Sequence, residues 1–436
     1  MYTVTRSPAA RQQPWLFGLL IASHAVLANG VLGGVLSYLL REQGVGPARG
    51  AEIIALLNLP LTIYFLWSPI TDFWLRRRTW LITAAIAAAA AMLAAFRQPS
   101  LAGPQAVELM FLSACLGQLI VASCGGMMGA IPCETSRRRA SSFYQSGSLA
   151  FGALAVFVLA SLSGRLGLGA LGWITAAMIA LPSLAAFLAP DRYVAGEHKV
   201  GETFARIWHE FRTTFLRWRA VPYTLLMLAP MGSGAMIQLL PGLAADYHIG
   251  GREVAWMNGL AGSLLMAAGA FTTTFISARV RTVVAYILSG LLNEAALAVL
   301  WLGPLQPSLY FAGAILFLFT IGASYALFTA VVLEFLGGSG KSGSARYSII
   351  NSLGNVPVVY MVLVDGKGYA HWGARGMSGA DVIVGTAAAV LLLAYFLRHR
   401  PSPAPEPIIH ASLPSDMRSL KIPDQDQTTF RTDQCR

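Results

Sequence analysis

The sequence predicts an all-α membrane protein of twelve transmembrane helices in two pseudo-symmetric six-helix bundles, and three observations predict it. Of the 436 residues, 56% are hydrophobic and 12% charged, a balance that suits a chain whose solvent is lipid. Apolar stretches of roughly 20 residues, the length a spanning helix needs, follow one another in close succession. The charges gather in the breaks between those stretches, and most of the basic ones fall on alternate breaks.

The twelve expected segments lie at about 15–40, 51–74, 79–96, 105–133, 141–163, 168–190, 221–246, 253–276, 282–303, 308–336, 346–366 and 378–398. The first is too long for a signal-peptide core and lacks a small-residue cleavage site, so it reads as a retained helix. The second ends in Asp72, then Arg76, Arg77 and Arg78, and the third begins at once: a membrane exit, a charged hinge and a re-entry. About 30 residues separate the sixth segment from the seventh, whereas loops elsewhere are short. The expected domains are therefore a cytoplasmic N-terminus (1–14), an N-terminal bundle (15–190), a cytoplasmic connector (191–220), a C-terminal bundle (221–398) and a disordered cytoplasmic tail (399–436). In the connector, Phe204, Ile207, Trp208, Phe211, Phe215 and Trp218 recur at three- and four-residue spacing with arginines between them, which predicts an amphipathic helix on the inner leaflet.

A net charge of +11 does not make the chain a nucleic-acid binder, because no soluble domain is present to carry a basic stripe. Topology accounts for it. With both termini in the cytoplasm, only Arg41, Arg49, Arg97, Arg165, Arg252, Lys367 and Arg375 lie outside, and the other 24 of 31 basic residues lie inside. The bias to Arg over Lys, with abundant Ala, suggests a GC-rich bacterial genome and hence a bacterial inner membrane.

Several stretches resemble a known family. The hinge around Asp72, Arg76 and Arg77 matches part of a motif of the major facilitator superfamily. LSYLLREQGV at 36–45, FLWSPITD at 65–72, NSLGNVPVVYMVLVDG from 351 and HWGARGM ending at 377 resemble its branch of AmpG muropeptide permeases and acetyl-CoA transporters. The resemblance implies a cavity lined by helices one, four, seven and ten, with help from two, five, eight and eleven. It also implies a lysine where this chain has Tyr64, and two acids where it has Gly125 and Gly129. The joint loss of both signs of charge is physically coherent, since an unpaired charge inside the membrane is costly. It leads to the expectation that this chain lacks the branch's usual proton-coupling acids.

The polar residues at midplane depth are the candidate substrate or proton pathway: His24, Asn29, Gln118, Gln238, Tyr325, Asn351, Asn355 and Glu294. Asn351 and Asn355 share a helix face by spacing, and Glu294 is read as the one carboxylate near the middle of a segment, with Asn293 as a candidate structural partner. The alternative for the amides is helix-to-helix bonding. Gly125, Gly126 and Gly129 read as a close helix contact. Asp72, Arg76, Arg77, Glu134 and Arg137 form the candidate cytoplasmic gate between the halves.

The sequence reading is a secondary transporter, not an enzyme, moving a polar, muropeptide- or peptide-like organic solute by alternating access. A siderophore permease of the same fold is the alternative, and a transport-dead membrane sensor or scaffold is the alternative from another class. Expected partners are the small-molecule solute, a coupling proton and membrane lipids, without nucleic acid, on a monomer. Neither a cofactor nor a metal site is expected, and GGSGKSGS at 337–344 lacks the spacing of a phosphate-binding loop.

Overall fold

The structure is a computed structural model that describes residues 13–129, 131, 134–189, 200–215, 220–276, 280–336 and 343–399. The expected tail, apart from its first residue, and most of the expected N-terminal segment lie outside the described residues. Among the described residues the chain is all-helical, and nine helices are long and apolar enough to cross a membrane. The N-terminal half comprises α1 (Leu16–Glu42), α2 (Pro47–Thr62 and Tyr64–Thr71), α3 (Arg77–Phe96), α4 (Pro104–Gly129), α5 (Glu134–Ser163) and α6 (Leu168–Leu188). The C-terminal half comprises α7 (Val221–Met227 and Ala235–Leu243), α8 (251–276), α9 (Thr282–Leu302), α10 (Pro307–Leu336), α11 (343–372) and α12 (374–398).

Two of the expected segments depart from simple spans. In α2 the axis bends by 47° at Ile63, between Pro60 and Pro69, two residues that cannot donate to the helix ladder. The charged hinge follows, and there Trp74 takes a positive φ of 63° with its side chain exposed. The seventh segment is broken rather than continuous: helix stops at Met227 and resumes at Ala235. Pro230 and the left-handed Gly232 and Gly234 explain the break. Three tyrosines from other helices hold its carbonyls. Tyr360 of α11 donates to Leu228 at 2.7 Å, Tyr286 of α9 to Met231 at 3.4 Å and Tyr325 of α10 to Ser233 at 3.4 Å. Non-helical backbone inside a membrane needs such partners.

The expected loop at 367–377 is almost absent. α11 and α12 run nearly into each other, and the turn is made at Gly373, with φ 65° and ψ −156°. The hairpin closes tightly because Gly368 and Gly376 meet backbone to backbone, where a Cβ on either would collide with the carbonyl of the other.

The halves meet along α2 against α11, α5 against α8, and α1 against α7. The first two pairs exchange under a two-fold that adds six to each helix number, as a repeat of six helices requires. Gly18 of α1 and Gly147 of α5 let these two backbones touch inside the N-terminal half. At the end of the molecule carrying the α1–α2 and α11–α12 turns, Arg41 pairs with Asp246 at 3.0 Å, and the Tyr369 hydroxyl donates to the same carboxylate at 3.1 Å. This ion pair joins the two halves.

The described part of the connector is a helix, Val200–Phe215. Phe215 is buried against Phe335 of α10, Phe211 packs beside it, and Trp208 is exposed. Trp218 lies outside the described residues.

Candidate functional site: a cavity between the two halves

A cavity of about 320 Å³ opens where α1, α2, α4 and α5 face α7, α8 and α10. Two helices widen locally to reach it. α1 is π-helical from Ala25 to Val35 and α8 from Ala255 to Ala261, and each wide turn carries an asparagine into the lining, Asn29 and Asn258. A Cβ on Gly33 would crowd the carbonyl of Ala28 five residues earlier, which is where the π turn closes.

Five of the eight expected pathway residues line this space: His24, Asn29, Gln118, Gln238 and Tyr325. Asn58, Gln145, Ser148 and Asn258 join them, and none of these four was expected. Midplane polarity was their signal in the sequence, but they sit on helices two, five and eight, where the reading named no residue.

The geometry of the lining fixes which hydrogen-bonding groups remain for a ligand. The His24 ring places Nδ1 3.1 Å from the Gly117 carbonyl, an acceptor only, so Nδ1 carries the hydrogen and Nε2 is left with its lone pair in the neutral ring. Asn29 donates to Ser148 at 3.1 Å, Asn258 to the Tyr310 hydroxyl at 2.9 Å and Gln118 to the Ala114 carbonyl at 3.4 Å. Asn58 donates to Gln238 at 2.7 Å, a bond that crosses from one half to the other. The lining contains no Asp, Glu, Lys or Arg among the described residues.

The other expected positions lie elsewhere. Asn351 and Asn355 do share a face, and Asn355 donates to the Asn351 carbonyl at 2.9 Å, but α11 contributes nothing to the lining. α11 packs instead on α10, through Gly354 against Phe328, and on the bent end of α2, where Ser352 accepts from the Phe65 amide. Glu294 also lies outside the cavity and is buried between α9 and α12, with the Gly385 backbone against its carboxyl. Asn293 is not its partner: that amide donates to Phe317 and Thr320. Nor is Glu294 the one buried acid, because Asp365 and Asp381 meet it there.

Of the candidate gate, the side chains of Asp72 and Glu134 lie outside the described residues. Arg77 donates to the Gly126 carbonyl of α4 in its own half, and Arg76 and Arg137 are exposed. Gly126 meets the Arg77 guanidinium, a side chain and not the expected helix backbone, and among the described residues a Cβ at Gly125 or Gly129 would meet nothing within 4 Å. Among the described residues these two glycines make no helix contact.

No family model matches the chain, and no curated protein matches it in sequence. Solved structures do match over nearly its whole length. The nucleoside transporter NupG superposes with a TM-score of 0.67 at 14% identity, covering 88% of this chain and 98% of the other. A peptide transporter POT in complex with sulfate gives 0.67 at 13%, covering 88% and 94%. A D-xylose-proton symporter gives 0.66 at 13%, covering 87% and 95%. Taken with the apolar helices around a central cavity, these likenesses establish the architecture: the chain is a multi-pass membrane protein with the major facilitator fold.

Proposed function

We propose that the chain is a secondary transporter, with no enzymatic activity, that moves a polar organic solute by alternating access. The observation that carries this reading is the cavity itself: it lies between two pseudo-symmetric halves, takes lining residues from both, and is closed across by Asn58 and Gln238. The recognised part of the solute is uncharged. Amide oxygens and the His24 Nε2 favour hydroxyl and N–H donors, and the lining offers no counter-ion to a fixed charge. The sugar and amide portion of a muropeptide-like solute meets that description, and the sequence resemblance to the AmpG branch supports it. A nucleoside or a sugar, the substrates named for two of the structural neighbours, meets it as well. The charge asymmetry of the loops supports both termini in the cytoplasm, and the Arg and Ala bias supports a bacterial inner membrane.

The test is counterflow. Purified protein in liposomes is loaded with one unlabelled solute, and uptake of its labelled form is followed without any imposed gradient, using uridine, xylose, a disaccharide anhydro-muropeptide and dialanine. Exchange of an uncharged solute, or of the muropeptide through its sugar, is the expected result. Exchange of dialanine alone would overturn the uncharged reading, and exchange of nothing would favour a sensor or scaffold.

A further inference from the structure

The deepest polar feature of the protein is not the cavity but a group of three carboxyls in the C-terminal half. Glu294 of α9 and Asp365 of α11 are 2% and 0% exposed, and Asp381 of α12 is 4% exposed. Asp381 stands beside both of the others. The hairpin makes this meeting inevitable. Asp365 stands eight residues before the Gly373 turn and Asp381 eight residues after it, so each is about 12 Å down its helix and they face each other at one depth. α9 is then seated on α12 at two glycines. Gly379 receives the Trp301 indole, and Gly385 receives the Glu294 carboxyl, which leaves no room for a side chain at either position.

None of the four oxygens of Glu294 and Asp365 meets a donor among the described residues. Among the described residues no basic side chain bears on the group either. Lys367 and Arg375, the nearest on the hairpin, are exposed, and on α2, which packs against α11, Arg49 and Glu52 are paired to each other. From α10, which packs against α9, the polar contact goes to Asn293, and the remaining titratable group near Asp381 is the Tyr360 phenol. Three carboxylates so placed would be acceptors facing acceptors, with no cation among them and no donor around them. The described residues also hold no cluster of metal-ligand geometry. Buried acids crowded together with neither a cation nor a donor cannot all be ionised, so the group calls for a proton.

We propose that Glu294, Asp365 and Asp381 form a proton-binding site, separate from the solute cavity, that holds at least one proton shared between α9, α11 and α12. The site is linked to the cavity by structure already described. α9 and α11 carry Tyr286 and Tyr360, which grip the broken α7, and α7 carries Gln238 into the lining. Loss of the proton would place like charges together in a dry packing interface and push the three helices apart, moving the phenols with them. Under the transport reading, and only there does the proposal rest on it, this proton is the coupling ion.

Infrared spectroscopy of the protein in nanodiscs at neutral pH reads the site without any solute. The wild type should show the C=O stretch of a protonated carboxyl. Glu294→Gln, Asp365→Asn and Asp381→Asn should each shift or diminish it, and the triple variant should lose it, while Glu52→Gln leaves it unchanged. The variants keep shape and can donate, so the folded protein should survive; circular dichroism and size exclusion check this. A wild-type spectrum without the band, or an unchanged band in the triple variant, would overturn the proposal. In liposomes, with the panel solute that exchanges, Asp381→Asn should keep counterflow and lose acceleration by an inward proton gradient. Acceleration retained in all three single variants would overturn the coupling role. Absence of counterflow in the wild type would instead sink the transport reading and leave the infrared result standing.

Discussion

The cavity and the carboxyl group of the C-terminal half solve the same problem in opposite ways. Both place polar side chains where lipid surrounds the bundle and water is scarce. In the cavity the side chains are neutral, His24, Asn29 and Asn258 donate to protein acceptors, and what is left over faces open space. In the carboxyl group the side chains are acids, glycines press the neighbouring helix onto them, and nothing faces open space. The difference teaches which polar groups can be left waiting for a ligand. A satisfied amide costs little when the cavity is empty, whereas an unpaired buried acid costs several kcal/mol, on the order of a whole protein's margin of stability, unless it is protonated or shielded.

Each region can be broken where the other is insensitive. The largest effect belongs to Gly385→Leu, which drives a side chain into the Glu294 carboxyl and should lower stability by about 3 kcal/mol or more, read as a fall in Tm in detergent. An unchanged Tm would mean that α9 does not press on α12 there. Next is the double change Asn58→Leu and Gln238→Leu, which removes the bond across the cavity and should weaken solute exchange about tenfold or more with Tm little altered. Equal loss of exchange and of folded protein would erase the distinction between the two regions. A smaller effect follows from Asp246→Asn. It weakens the hold on Arg41 and Tyr369 at the end carrying the α1–α2 and α11–α12 turns and should shift the balance of open states by about 1 kcal/mol, discounted because the pair is partly exposed. Distances between spin labels on α1 and α7 at that end would measure the shift. Asn355→Ala should be the smallest, within about 0.5 kcal/mol in stability and without change in exchange, because that side chain faces neither region.

The sequence made the spans legible because apolar length is a local property. It made part of the cavity legible for a similar reason: His24, Asn29, Gln118, Gln238 and Tyr325 are polar where lipid length forbids polarity. Asn351 and Asn355 show the limit, since spacing tells which residues share a face and not which neighbour that face meets. The acid group escaped for a geometric reason. With the loop read as 367–377, Asp365 fell at one segment's end and Asp381 at the next one's start, so both looked peripheral. Only a turn tightened to Gly373 turns equal sequence distance into equal depth. The break in α7 was half written in the chain, as Pro230 followed by MGSG at 231–234, but the tyrosines that hold it come from three other helices and no local pattern names them.

Those three tyrosines make the break behave as a latch rather than a spring. Each bond contributes about 1 kcal/mol or less, the two long ones least, and each comes from a different helix: α9, α10 and α11. A small change of angle at Leu228–Gly234 strains all three at once, while a large one releases them together. The seven-residue stretch is thereby tied to three helices at once, so its angle cannot change without all three taking part. A solute touching Tyr325 from one side and a proton held by the neighbours of Tyr286 and Tyr360 from the other would then act on the same seven residues.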